Sequence, residues 1–178
     1  MSLLGQRLLD VHDALSAADL PHAFGGAIAL AYCTEEPRGT RDLDVNVFVA
    51  PTMAREVFAV LPSEVTVTDT DIATAERDGQ VRLWWEETPI DVFFDVHRFH
   101  VEVAENVRSV AFEGRQIPVL DCTALTVFKA LLDRTKDWAD IEEIVAADAL
   151  NAPHAVAWVE RLLGAESPVV RHLKSVAG

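Results

Sequence analysis

The sequence predicts an α+β protein, with a sheet-forming part over residues 1–120 and a helical segment, residues 121–178, packed on it. Three observations predict it. Residues 42–49 alternate apolar and polar side chains, the signature of a strand with one face buried. Runs rich in β-branched and aromatic residues follow at 65–68, 81–85 and 90–96, with a hairpin pattern around Gly114 at 109–119. After Asp121 the apolar residues recur at helical spacing instead.

The elements follow in order. Leu4, Leu8, Val11 and Leu15 recur with helical period, Ser2 stands where a cap belongs, and Pro21 bounds the helix near Leu20. His22 to Phe24 reads as a short strand that hands over, through Gly25-Gly26, to a helix of small residues. Glu35 to Arg41, with Pro37 and Gly39, reads as a loop. In the strand that follows, Leu43, Val45, Val47 and Val49 share one face, and Asp42, Asp44, Asn46 and Phe48 the other. Pro51 to Leu61 is a helix with proline in its first turn. Beyond the strands, Asp121 or Thr123 caps a helix to about Arg134, and helices follow at 137–148, 153–163 and from about Val169.

Composition bounds the function. The formal charge of −14, from 15 Lys and Arg against 29 Asp and Glu, argues against a nucleic-acid face, which needs clustered cations to neutralise phosphates. The longest near-apolar stretch, Ala23 to Cys33, is too short for a bilayer, and Arg7 and Asp10 stand where a secretory peptide would need an unbroken apolar run, so a cytoplasmic protein with no membrane partner is expected. With only Cys33 and Cys122 present, the expectation is two reduced, buried thiols and no zinc site.

Asp42 and Asp44 leave the same strand face, with Cα atoms roughly 6.5 Å apart. Two carboxylates held about 5 Å apart repel by roughly 3 kcal/mol at an effective dielectric near 20, unless water or a cation relieves them. Mg²⁺ is a natural partner, because it prefers carboxylate oxygens together with substrate phosphates. Asp91, between Ile90 and Val92, has a similar frame, and a strand paired beside the first would complete a site for two metals. Asp95 shares its parity but lies further along. The Gly25-Gly26 turn lets backbone N–H groups approach a phosphate with no Cβ in the way.

The segment FGGAIALAYCTEEPRGTRDLDVNVFV, Phe24 to Val49, resembles the nucleotidyltransferases related to DNA polymerase beta, whose mark is a GG or GS turn followed by D-x-D on a strand. The similar branches are the small antibiotic nucleotidyltransferases of lincosamide type and the AbiEii-type toxins, whose R-x-T-x-D-x-D string Arg38, Thr40, Asp42 and Asp44 match. Ile90-Asp91-Val92 fits the third acid, and Lys129, Arg134 and Lys136-Asp137-Trp138 follow the order of the toxins' later block. The resemblance implies a mixed sheet flanked by helices and two Mg²⁺ ions, with Mn²⁺ as an alternative. It also implies a nucleoside triphosphate such as ATP as co-substrate.

It further implies that Asp42, Asp44 and Asp91 are catalytic metal ligands. Gly25, Gly26, Arg38, Arg41 and Lys129 would contact the triphosphate, with Thr40, Asp95, Arg134 and Asp137 in support. Asp137 serves either to orient Lys129 or to start the next helix, where an acid is favourable in any case. Gly26 departs from the relatives that carry serine there, which removes a hydroxyl contact to phosphate. His97-x-x-His100 reads as an incidental pair near a strand end, and of Trp84 and Trp85 one faces the core. The functional expectation is nucleotidyl transfer to an acceptor hydroxyl with release of pyrophosphate. The acidic balance favours a small acceptor such as a hydroxyl-rich antibiotic. The competing readings are a toxin acting on tRNA or protein, a non-catalytic or antitoxin-like module of the same fold, and a metal-assisted phosphohydrolase.

Overall fold

A computed structural model describes residues 1–37 and 39–178; Arg38, expected to meet phosphate, lies outside the described residues. The chain divides into two compact units, Met1–Ile28 with Gly39–Val119, and Ala29–Arg38 with Leu120–Gly178.

The first unit holds a mixed sheet. Helix α1 (Leu3–Ala17) starts where the Ser2 side chain accepts from the Gly5 N–H, and it ends before Asp19, whose positive φ turns the chain. The strands are β1 (His22–Phe24), β2 (Leu43–Val47), β3 (Val65–Thr66), β4 (Gln80–Trp85), β5 (Thr88–Phe94), β6 (Arg108–Phe112) and β7 (Arg115–Val119). Their order across the sheet is β3-β4-β5-β2-β1-β7-β6. The β2–β5 and β1–β7 neighbours are parallel and the others antiparallel. The Gly114 hairpin forms as expected, with Glu113 and Gly114 both at positive φ, the conformation a tight right-twisted hairpin favours.

One face of the sheet is covered by α1 and by α3 (Ala54–Val60). Val11 and Leu15 of α1, Val57 and Leu61 at α3, and Val45, Val47, Ile90 and Val92 of the strands converge on a common apolar centre. Burying each such side chain contributes about 1.5–3 kcal/mol, so the register of β2 and β5 is fixed by which face is apolar. Arg7 reinforces this packing. It is buried, bonds the Thr88 hydroxyl and the Glu86 carboxylate, and lies 5.2 Å from the Trp85 ring centre.

Two helices of this unit had no reading in the sequence. α4 (Asp69–Asp78) is opened by a reciprocal Thr68–Asp71 capping box and buries only Ile72 and Ala75. α5 (Arg98–Glu105) takes His97 as its N-cap, so His97 and His100 sit at a helix start rather than a strand end. Their rings stack 6.1 Å apart.

The second unit is helical. After α2 (Gly26–Thr34), which straddles both units, it comprises α6 (Cys122–Leu132), α7 (Thr135–Ala146), α8 (Ala152–Leu163) and α9 (Pro168–Ala177). Asp121 caps α6, accepting from the Thr123 and Ala124 N–H groups, while the Thr123 hydroxyl instead accepts from the Asn151 N–H. Leu125, Ile141, Ile144, Val159, Val170 and Leu173 form its core. The cysteines correct the sequence expectation: Cys33 and Cys122 form a disulfide, 89 residues apart in sequence, and no free cysteine remains among the described residues. Folding sets the end of α2 and the start of α6 side by side, with Cα atoms 5.6 Å apart, which no sequence spacing announces. Among the described residues no helix is long and apolar enough to cross a membrane.

Candidate active site

The site is built where β1 ends. The Gly25 N–H donates to the Asp44 carbonyl at 2.9 Å, and Gly26 opens α2 with φ at 51°. In the parallel β2–β5 pair Asp44 stands opposite Asp91, and in the antiparallel β4–β5 pair Arg82 stands opposite Asp91. Leu43, Val45, Ile90 and Val92 are buried, three of them against the helix-covered centre, so alternation sends Asp44 and Asp91 from the other face. The turn glycines, Asp44, Asp91 and Arg82 therefore form one row across the sheet.

Asp42 lies just ahead of β2, and the Thr40 hydroxyl donates to its carboxylate at 2.5 Å, holding it in place. Gly26 is pressed onto the acid row. A Cβ at this position would lie 1.9 Å from Asp44 Oδ2 and 2.6 Å from its carboxyl carbon. The absence of serine here thus follows from the close approach of the turn to Asp44, as well as from the positive φ.

Arg82 is the residue that sequence reading missed. Its Nε and Nη2 donate to the two oxygens of Asp91 at 2.7 and 2.6 Å, a bidentate fork. Its side chain is 51% exposed and that of Asp91 18%. The bond to Asp91 raises its pKa above the ordinary value, and the charges of Asp42 and Asp44 add to that. The guanidinium thus contacts Asp91 directly and feels the charges of Asp42 and Asp44. Trp84, on the same face of β4, is 46% exposed, whereas Trp85 is buried.

The donor set is of hard carboxylate oxygens set on one face, the chemistry a divalent ion such as Mg²⁺ takes. Among the described residues, however, no three His, Cys, Asp or Glu side chains stand close enough together to hold an ion. Arg82 engages both oxygens of Asp91. The residues fit a divalent ion in the chemistry of their donor oxygens, with the Arg82 guanidinium beside Asp91.

The remaining expected residues lie elsewhere. Arg41 is exposed in the approach to β2. Asp95 follows the end of β5; its N–H donates to the Val49 carbonyl at 3.0 Å, and its carboxylate is 3.9 Å from His100 Nδ1. In the second unit, Lys129 is buried, with its ammonium 2.5 Å from Asp140 and 3.5 Å from Asp137. Asp137 is fully buried in the first turn of α7, and Arg134, the N-cap, donates to it at 2.5 Å. Burial alone would raise the Asp137 pKa, but the Arg134 bond and the Lys129 and Arg134 charges together hold it below the usual carboxylate range. Asp137 thus both begins its helix and faces Lys129.

No protein-family model matches the chain, and no curated protein sequence matches it. Solved structures do. The chain is similar to ANT(2″)-Ia in complex with adenylyl-2″-tobramycin, at 12% identity and a TM-score of 0.62 over 99% of this chain and 100% of that one. It is also similar to the lincosamide antibiotic adenylyltransferase LnuA with lincomycin bound, at 14% identity and a TM-score of 0.53 over 78% and 94%. An antigenic nucleotidyltransferase-like protein from Paracoccidioides brasiliensis matches at 14% identity and a TM-score of 0.51 over 97% and 94%. The chain has the nucleotidyltransferase fold.

Proposed function

We propose that this protein is a metal-dependent nucleotidyltransferase that moves a nucleoside monophosphate from a nucleoside triphosphate to a hydroxyl of a small, cationic acceptor. One observation carries the reading: Asp44 and Asp91 are register partners on parallel neighbouring strands, in line with the Gly25-Gly26 turn. Two carboxylates and a backbone bend on one row of the sheet support a site for a metal-bound triphosphate.

In this reading Asp42 and Asp44 would hold a divalent ion that neutralises the triphosphate, and Asp91 would hold a second. Bound divalent ions would neutralise phosphoryl oxygens and lower the pKa of the acceptor hydroxyl. Thr40 keeps the Asp42 carboxylate in position. Gly26 keeps the turn close to Asp44. Asp91 receives the acceptor proton as its oxygen bonds to the α-phosphorus. The bond from that phosphorus to the bridging oxygen breaks, and pyrophosphate leaves. Two similar structures hold adenylyl-2″-tobramycin and lincomycin, which supports a small hydroxylated acceptor, and the charge of −14 favours a cationic one.

The test incubates the protein with Mg²⁺ or Mn²⁺, nucleoside triphosphates labelled in the α-phosphate, and separate pools of aminoglycosides, lincosamides and tRNA. Label is expected on a small acceptor, and Asp42→Asn and Asp44→Asn are expected to abolish it. Transfer that survives both substitutions places the chemistry elsewhere, and label found on tRNA alone replaces the small acceptor with a macromolecular one.

A further inference from the structure

Arg82 has no part in the nucleotidyl-transfer reading, yet it grips one of the acids, Asp91, through a bidentate fork. Two other cations that bind carboxylates are built differently. Arg7 and Lys129 are buried, so losing their partners would strand a charge away from water. Arg82 is half in solvent on a strand face, and its fork grips Asp91, which itself keeps contact with solvent. It can open without such a penalty.

We infer that Arg82 is a displaceable stand-in for metal: its guanidinium holds Asp91 until a divalent ion with a nucleoside triphosphate takes the carboxylates, and it then turns to the phosphates. This rests on the nucleotidyl-transfer reading. A divalent ion arriving alone must break the fork and leave the guanidinium facing a second cation. An ion arriving with a triphosphate brings acceptor oxygens that the freed guanidinium can bind, again in bidentate fashion. Metal and nucleotide are thereby coupled through one side chain. The coupling is reciprocal, since each ligand tightens the other by the same factor. A site that takes the bare ion poorly and the metal–nucleotide well keeps its acids from being filled unproductively.

The test uses the full chain as wild type, Arg82→Met and Arg82→Lys, with Mn²⁺ binding read from loss of the free-ion paramagnetic resonance signal. Titrations are run without nucleotide and with a non-hydrolysable triphosphate analogue, and thermal melts check folding. For Arg82→Met, affinity for Mn²⁺ alone is expected to rise about tenfold or more, because a cation beside the ion is gone. Affinity for the Mn²⁺–analogue complex is expected to fall about tenfold, because the phosphate partner is gone. Arg82→Lys, which keeps the charge and loses the fork, is expected to fall between, and it stands alone should the methionine variant not fold. A residue that merely steadies the hairpin would move both affinities the same way or neither, and either result overturns the inference. If wild type and variants alike fail to bind the Mn²⁺–analogue complex at millimolar concentration, the nucleotidyl-transfer reading itself fails and the stand-in role goes with it. Wild-type binding of the complex with no change in either variant refutes the stand-in role alone.

Discussion

Replacing Gly26 with alanine separates the stability of the fold from the integrity of the acid row. Gly26 has φ at 51°, where an L-residue with a Cβ loses about 1–2 kcal/mol relative to glycine. The new Cβ would also fall 1.9 Å from Asp44 Oδ2 and 3.1 Å from Asp44 Cβ. The backbone is anchored on both sides, by the Gly25 N–H bond to the Asp44 carbonyl and by α2, so the carboxylate is the part that must yield. The stability loss corresponds to a melting-temperature decrease of about 2–8 °C for a chain of this size. A displacement of Asp44 by about 1 Å is enough to reduce catalysis about a hundredfold. Thermal melting and calorimetric titration with Mg²⁺ and a non-hydrolysable triphosphate measure the two effects on one sample. The expectation is a folded protein, slightly less stable, with triphosphate binding weakened far beyond the stability change. Unchanged metal-dependent binding in a folded Gly26→Ala protein would refute the contact between the turn and Asp44 as the organising feature of the site.

Three further perturbations bear on the framework. Lys129→Met leaves Asp137 and Asp140 buried without their ammonium and is expected to destabilise the protein by about 3–5 kcal/mol, read by urea unfolding; a loss under 1 kcal/mol would show the cluster is relieved otherwise. Reducing the Cys33–Cys122 disulfide is expected to remove about 2–4 kcal/mol, a melting shift of roughly 4–16 °C, and an identical melt with and without reductant would contradict the link. His12 and His22, paired at 2.9 Å, and His100 are all held below the ordinary value of 6.5, chiefly by burial. Their folded pKa lies below the unfolded one, so the unfolded chain binds more protons: stability is full above pH 6.5 and is lost as pH falls below it, by up to about 1.4 kcal/mol per pH unit for each histidine. Melting at pH 7.5 and 5.5 should show that fall, and it should be shallower in His22→Gln; a flat profile would contradict the burial of neutral imidazoles.

The strands were legible because burial on one face enforces alternation. β2 and the aspartates at 42 and 44 could be read directly, as could Asp91 between Ile90 and Val92, the Gly25-Gly26 bend and the Gly114 hairpin. α4 was hidden because only Ile72 and Ala75 face inward, so its polar surface leaves no apolar period. α5 was hidden by its shortness and by the histidines at its start. Arg82 was missed for a related reason. The β4–β5 connection is Glu86-Glu87, with Glu86 at positive φ, and it lacks the Asn-Gly or Asp-Gly signature that reveals a two-residue hairpin. Once that turn is placed, Trp85 pairs with Thr88, and counting outward sets Arg82 against Asp91. The disulfide and the ion pairs of Lys129 join segments far apart in the chain, and single-sequence patterns carry no such information.

The most direct measurement is a double-mutant cycle on metal-dependent triphosphate binding, using Asp44→Asn, Asp91→Asn and the pair, followed by calorimetry in Mg²⁺ and repeated in Mn²⁺. If the two carboxylates, opposed across β2 and β5, serve one metal–triphosphate, each single change removes most of the binding and the double change adds little more. Additive losses, or full binding in either single variant, would mean that the acids facing each other on these strands do not act as one site.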